Sequence, residues 1–219
     1  MKTKKVALII VIFIVLILIA IWGIREYVLW NDGDLQKDNS MSREEALELL
    51  KKGEEYPNYY ISFVDSDNVK YDIYVKDNVF VEYCNNEFRL REDYNTNEYI
   101  MIFKTADKEV AGINNSLEKQ EYRQASMDYS IVNKLDYKCL GEKEVDGRQV
   151  IYIQLEDDSA YTKFVIDKET GIIVDRIDLS KSFIFTTHKN ESKRELKLDV
   201  VTDEDVARPD LSKYEIVEE

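Results

Sequence analysis

Histidine, cysteine, proline and glycine are all scarce in this chain of 219 residues. One His and two Cys are too few for the Cys and His clusters that bind structural zinc, and they leave little material for a catalytic triad. The chain has only two Pro and seven Gly, but it has 15 Tyr. The composition therefore excludes a low-complexity or disordered chain.

Basic residues are outnumbered as well. The chain has 30 Lys and Arg against 44 Asp and Glu, which gives a net charge of −14. Because contacts with phosphates require clustered Lys and Arg, this balance argues against nucleic acid as a partner. The length leaves room for one domain and a targeting segment, but not for two large domains.

Residues 6–24 form a long apolar run without a single charge. As a helix that rises 1.5 Å per residue, this run would cross most of a hydrocarbon core of about 30 Å. A cleavable signal peptide is the alternative, but its apolar region is shorter and ends at small residues, whereas bulky Ile19, Ile21 and Trp22 stand at this end. We predict cytoplasmic residues 1–5, an uncleaved transmembrane anchor over 6–24, a linker over 25–41 and one extracytoplasmic domain over 42–219.

The charges beside the apolar run predict its orientation. Lys2, Lys4 and Lys5 precede it, and only Arg25, offset by Glu26, follows it. Since positive charge is retained on the cytoplasmic side, the short N-terminus stays inside and the acidic domain is exported. The predicted location is the cell membrane, with a single pass.

A helix opens the predicted domain. Ser42 and Glu45 have the spacing of a capping box, and the following residues include paired leucines that favour packing on a sheet. This helix is predicted to stop at Gly53. A second covering helix is predicted over 116–127.

After Pro57 the apolar period changes from 3.6 to 2, which predicts strands. Turn signals recur every 10–12 residues within each half of the domain, which is typical of an antiparallel meander of hairpins; they are Asp67-Asn68, Asp77-Asn78, Asn85-Asn86, Asp146-Gly147 and Glu169-Thr170-Gly171. Three segments are apolar on both faces, 99–103, 150–153 and 164–166, so both faces of the sheet must be covered, one by helices and the other by curvature.

One long stretch resembles the LolA-like superfamily of lipoprotein carriers. A strand from Leu135, a polar hairpin at Asp146-Gly147 and a second strand lead into Lys163-Phe-Val-Ile-Asp-Lys-Glu-Thr-Gly171. The tail from Val201, including Arg208-Pro-Asp-Leu, is similar to members from Gram-positive bacteria. Clostridial germination lipoproteins of the GerS type are the nearest relatives that this resemblance suggests.

The resemblance covers residues 42 to 217. It implies a mainly β (α+β) fold with a strongly curved antiparallel sheet, an incomplete barrel whose concave side is covered by helices. Carriers of this fold hold acyl chains in the hollow, whereas GerS-type proteins of sporulation and germination work through a partner that trims cell-wall peptidoglycan. Neither kind has a transmembrane anchor, and no ligand-contact motif matches residue by residue.

Few residues are candidates for chemistry. His188 as a general base would need an orienting carboxylate and a nucleophile, so a surface histidine is the simpler interpretation. Export permits a disulfide between Cys84 and Cys139, although buried thiols are the plainer alternative. The acidic clusters at 65–68 and 203–205 lack the glycine and terminal glutamate of a calcium loop, so solvated turns explain them better. We expect no metal and no cofactor.

The excess of aromatic residues is the one feature that suggests a ligand hollow. Candidate lining residues are Tyr99, Tyr137, Tyr152 and Phe164, although strand aromatics also form cores and cross-strand pairs. We therefore predict a non-enzymatic binding domain outside the cytoplasmic membrane that engages an envelope or cell-wall-remodelling protein. The alternative is a binder of lipid or lipoprotein acyl chains. A hydrolase is a third hypothesis, but no nucleophile–base pair supports it.

Overall fold

The computed structural model of the protein describes residues 2–30, 41–65, 67–105, 107–117, 135–156, 160–182, 185–191 and 193–218, with side chains except at 2–9, 25–30 and 181–191. Its helices are α1 (Lys2–Trp30) and α2 (Arg43–Glu54). The strands are β1 (Asn58–Val64), β2 (Lys70–Lys76), β3 (Val79–Cys84), β4 (Glu87–Asp93), β5 (Glu98–Lys104), β6 (Glu109–Asn114), β7 (Asp136–Val145), β8 (Arg148–Glu156), β9 (Ala160–Asp167), β10 (Ile173–Ser182), β11 (Phe185–Glu191), β12 (Glu195–Leu198) and β13 (Glu215–Glu218).

The described strands form two open sheets. The first sheet has the order β12-β1-β2-β3-β4-β5-β6-β13, and the second has the order β11-β10-β9-β8-β7. The mainly β fold with unclosed sheets and a covering helix confirms the broad prediction. The prediction of one wholly antiparallel sheet is wrong, because there are two sheets and β13 runs parallel to β6.

The hairpin turns fall where the sequence signals them. Non-glycine residues with positive φ include one or both members of every predicted Asx pair. Asn, Asp and Gly tolerate this backbone conformation better than other residues, which is why they mark tight hairpins. The residues concerned include Asn68, Asp77, Asn78, Asn85, Asn86, Asp146, Gly147 and Gly171.

Helix α2 begins with the predicted capping box. The Ser42 N–H donates to Glu45 Oε2 at 2.7 Å, and the Glu45 N–H donates to Ser42 Oγ at 3.2 Å. The helix buries Ala46 and Leu50 against Phe164 of the second sheet. This packing confirms that a helix covers one face of two of the three doubly apolar segments, 150–153 and 164–166.

Gly53 does not end α2 as predicted, because the helix continues to Glu54. A Cβ atom on Gly53 would lie 2.1 Å from the carbonyl oxygen of Gly171, and one on Gly171 would lie 2.0 Å from that of Leu49. The helix and the β9–β10 turn thus touch backbone to backbone. Gly53 is a glycine because of this close approach, not because the chain leaves the helix there.

The C-terminal segment covers one face of the first sheet. Val201 and Val206 pack with Val81 in one buried cluster, and further along the segment Leu211 packs against the same sheet. Buried Arg91 donates to the Val206 carbonyl oxygen at 3.0 Å. The C-terminal segment crosses the sheet before β13 begins. Because of this crossing, β13 runs parallel to β6.

Several predictions concern residues at or beyond the limits of this description. Helix α1 contains the run predicted to cross the membrane, but none of the helices in the described part of the chain is long and apolar enough for a span. Most of the linker and of the second covering helix over 116–127 lies outside the described residues. The domain boundaries therefore stay predictions.

Candidate functional site

A cavity of about 790 Å³ lies between the two sheets. We call it the inter-sheet cavity. The end of β1 and the start of β12 contribute one side, namely Ser62, Phe63, Val64, Lys193, Arg194, Glu195 and Leu196. The second sheet contributes the other side with Val145, Asp146, Arg148, Val150, Tyr152, Val165, Val174 and Asp175.

The wall on the second sheet is apolar. Val150, Tyr152 and Val165 form one buried cluster on this face. Their neighbours along the strands, including Ile151 and Phe164, point to the opposite face and join the core under α2. The strands are thus apolar on both sides because one face packs on a helix and the other lines a cavity.

Arg194 lies where the chain passes from the second sheet to the first. Its backbone N–H donates to the Val174 carbonyl oxygen at 3.0 Å, and its guanidinium lies 5.0 Å from the centroid of the Phe63 ring. Burial, with a smaller contribution from the positive charge of Arg176, lowers the pKa of Arg194 to about 10. The guanidinium is still charged at pH 7, so it places a cation at the cavity that the apolar cluster of Val150, Tyr152 and Val165 also lines.

Ion pairs border the same cavity. Arg148 pairs with Asp167 at 3.1 Å, and Lys193 pairs with Asp146 at 3.3 Å. Asp167 also accepts the N–H of Thr170 at 2.8 Å, which fixes the β9–β10 turn. The Asp-Lys-Glu-Thr-Gly string within the resemblance therefore forms a turn that positions the strands and α2.

The arrangement suits binding. Small-molecule sites are typically concave, mostly apolar and about 300–1,000 Å³ in volume, with a few polar groups that orient the ligand. The inter-sheet cavity falls in this range. An apolar wall next to charged side chains of both signs, the Arg194 guanidinium among them, fits an elongated apolar ligand that carries a polar or anionic end.

The four predicted lining residues do not lie together. Tyr152 lines the inter-sheet cavity, but Phe164 is completely buried in the core under α2. Tyr137 is at the edge of that same core, where its hydroxyl donates to the Met41 carbonyl oxygen at 2.9 Å. Tyr99 belongs to β5 of the first sheet. Tyr152 and Phe164 lie on adjacent strands, and their side chains point to opposite faces of the sheet.

The other candidates are also dispersed. Cys84 ends β3 in the first sheet, Cys139 lies in β7 of the second, and these two described residues are not joined by a disulfide. His188 is placed in β11, opposite Ser180. In the first acidic cluster, the Asp65 carboxylate accepts backbone N–H groups of its own turn at 2.9 Å.

Sequence reasoning missed most of the inter-sheet cavity. Phe63 and Arg194 face each other across 131 positions of the chain. Each is an ordinary strand-end residue on its own, and only the junction of β1, β12 and the second sheet brings them together. The alternation of Val150 and Tyr152 was the one available signal, since it predicts a second apolar face.

No family model matches the chain, and no curated protein matches it. Solved structures with a similar fold include an uncharacterized conserved protein from Thermus thermophilus, with a TM-score of 0.53 and 11% identity, covering 82% of this chain and 100% of that one. The Mycobacterium tuberculosis lipoprotein LppX has a TM-score of 0.41 and 10% identity, covering 74% and 99%. The LolA superfamily protein NE2245 from Nitrosomonas europaea has a TM-score of 0.28 and 8% identity, covering 77% and 99%. The likeness to the Thermus thermophilus protein shows a shared fold.

Proposed function

We propose that the protein is a non-enzymatic binding domain that holds an elongated apolar ligand, such as an acyl chain, in the inter-sheet cavity. The observation that supports this most directly is the cavity of about 790 Å³ with its wall of Val150, Tyr152 and Val165. Arg194 gives an anionic end of the ligand a cationic neighbour. The cavity thus favours the acyl-chain alternative over the protein partner that the sequence placed first.

The binding test uses the chain without residues 1–30. All the core clusters of the described residues lie between positions 41 and 214, so this truncation keeps them intact. We expect saturable binding of dodecanoate in a calorimetric titration. Replacing half-buried Val174 with Trp fills the cavity, and we expect it to weaken binding by about tenfold or more, which corresponds to about 1.4 kcal/mol.

The matched control is Val200→Trp, which places the same ring at a half-exposed position outside the cavity lining. We expect this variant to bind dodecanoate like the parent chain. Equal binding by both Trp variants would overturn the proposal. So would purified protein that carries no lipid by mass spectrometry and does not take up dodecanoate.

A second candidate is the engagement of an envelope or cell-wall-remodelling protein, the GerS-like role that the resemblance implies. One observation favours it: β13 is the last strand of the first sheet, and its Ile216 and Val217 are 50% and 42% exposed. The backbone groups of an edge strand can pair with a strand of another protein. A specific envelope protein that co-purifies without lipid would favour this candidate over the first.

We further propose that α1 anchors the domain in the cytoplasmic membrane, with the N-terminus inside and residues from 42 onward outside. In support, large apolar side chains from Ile10 to Ile24 are exposed on the helix surface. A helix that is apolar all round favours a lipid or buried environment. The lysines at positions 2, 4 and 5 support the orientation.

The anchor is tested by adding protease to cells whose outer layers have been removed but whose cytoplasmic membrane is intact. We expect a tag at the C-terminus to be degraded and a tag at the N-terminus to be protected. A matched variant moves the positive charge, with Lys2, Lys4 and Lys5 changed to Glu and lysines introduced after residue 24, and should invert part of the population. Protection of the C-terminal tag in the parent chain would contradict the proposal.

A further inference from the structure

A second cavity, of about 400 Å³, lies at the other end of β1. We call it the aromatic cavity. It is lined by the aromatic residues Tyr56, Tyr59, Phe80 and Tyr94, by the acidic residues Glu54, Glu55 and Asp77, and by Pro57, Val75, Asn78, Val79 and Asn95. From Tyr59 to Val64, which lines the inter-sheet cavity, the strand advances about 17 Å. The two cavities are therefore separate sites.

The charged residues in the lining of the aromatic cavity are all acidic. Three of its residues carry acidic side chains, four carry aromatic rings, and none of the described lining residues is Lys, Arg or His. In the inter-sheet cavity, by contrast, Arg148, Lys193 and Arg194 balance three acidic residues. The aromatic cavity therefore combines negative charge with aromatic residues.

The rings come from three parts of the chain. Tyr59 and Phe80 are buried, whereas Tyr56 and Tyr94 are half-buried. The ring centroids of Tyr56 and Tyr59 lie 6.4 Å apart with a tilt of 59°. The rings of Tyr56 and Tyr59 thus present faces and edges in different directions, as the rings of the aromatic cages that surround a cation do.

The surroundings add to the negative potential. Helix α2 ends at Glu54, so the partial negative charge of its carbonyl end lies at this cavity. The Tyr56 hydroxyl donates to Asp199 Oδ2 at 3.5 Å. Burial, followed by the charges of Asp199 and Glu169, raises the pKa of Tyr56. Of these causes, the carboxylates of Asp199 and Glu169 add to the negative potential around Tyr56.

We propose that the aromatic cavity is a binding site for an alkylammonium group. Its volume is in the range of about 300–1,000 Å³ that small-molecule sites occupy. The positive charge of the ligand would lie against the rings, where it interacts with their negative faces, and near the carboxylates of Glu54, Glu55 and Asp77. The ammonium belongs either to a free small molecule or to a lipid headgroup, since both present the same chemistry.

The test titrates the full chain with choline in a maltoside detergent, which carries no ammonium group. We expect saturable binding, and we expect 3,3-dimethylbutanol, the uncharged analogue of the same shape, to bind at least about tenfold more weakly. Vesicles of phosphatidylcholine and of phosphatidylglycerol form a second arm. Preference for the choline vesicles assigns the site to a headgroup, and equal binding to both assigns it to a free ammonium.

Two conservative variants locate the site. Asp77→Asn removes one charge at an exposed position with φ of 47°, which Asn tolerates, and we expect about threefold weaker choline binding. Tyr94→Leu removes a ring from the lining and should weaken choline binding by about tenfold, whereas Tyr94→Phe keeps the ring and should bind more tightly than Tyr94→Leu. The cavity-filling variant Val174→Trp should leave choline binding unchanged.

These outcomes separate the two sites. If dodecanoate fails to bind but choline binds and responds to Asp77→Asn, the aromatic cavity stands without the inter-sheet cavity. No saturable choline binding, equal binding of the uncharged analogue, or an Asp77→Asn variant with parental affinity would each overturn the alkylammonium site.

Discussion

Replacing Phe164 with Asp is expected to unfold the domain. Phe164 has no exposed surface and packs with Ile151, Ile153 and Leu50 under α2. Loss of a buried Phe ring costs about 3–5 kcal/mol, and burying a carboxylate costs several more. Together these losses are comparable to the whole stability of a typical domain, about 5–15 kcal/mol. Circular dichroism and urea titration would show the loss of the cooperative transition.

Phe164→Leu is the matched control, since it keeps an apolar side chain and should cost about 1–3 kcal/mol while the domain stays folded. The guanidinium of Arg176 lies 5.9 Å from the Phe164 ring, but it already pairs with Asp178 at 2.9 Å. A folded Phe164→Asp variant with parental stability would mean that Arg176 can exchange partners. It would also show that this strand does not hold the core together.

The second large effect is expected at Gly171. Its φ is +81°, and a Cβ would lie 2.0 Å from the carbonyl oxygen of Leu49. Gly147, in the β7–β8 turn, has a similar φ of +78° but no atom within 4 Å of the same position. Gly147→Ala should therefore cost only about 1 kcal/mol for backbone strain. Gly171→Ala should cost a further 1–3 kcal/mol or so, because it also overpacks the helix–turn contact.

Gly53→Ala extends this comparison, because its expected effect on the free energy of unfolding is opposite in sign to that of the same change in an exposed helix. Within an exposed helix the change from Gly to Ala stabilises by about 1 kcal/mol. Here the added Cβ would lie 2.1 Å from the Gly171 carbonyl oxygen, so we expect the free energy of unfolding to fall instead. Chemical denaturation of all three variants would measure the differences. Stabilisation by Gly53→Ala, or equal losses for Gly147→Ala and Gly171→Ala, would show that helix and turn are not in close contact.

The local elements were largely predictable. The capping box at Ser42, the hairpin turns and the period-two strands depend on interactions between residues only a few positions apart. Gly53 shows where such reasoning fails. Its local context predicts a helix end, whereas its role is set by a turn more than a hundred positions later.

The candidate site was only partly predictable. Alternation along β8 indicates that Val150 and Tyr152 share a face, whereas the register of β8 against β9, which pairs Phe164 with Ile153, separates Tyr152 from Phe164. The opposite wall is different, because Phe63 and Arg194 reach the cavity only through the pairing of β1 with β12. Pairing between strands so far apart in the sequence cannot be predicted from the residue pattern of either segment.

By itself the sequence determined the acidic surface, the apolar N-terminal run and the sequence of helix and hairpins, because charge, hydropathy and turn chemistry belong to individual residues and their neighbours. The tertiary structure decided that there are two sheets, that the last strand is parallel to β6, and where the two cavities lie. These features depend on which distant segments pack against one another. That choice is settled by the summed burial of many side chains, and no short stretch of sequence contains it.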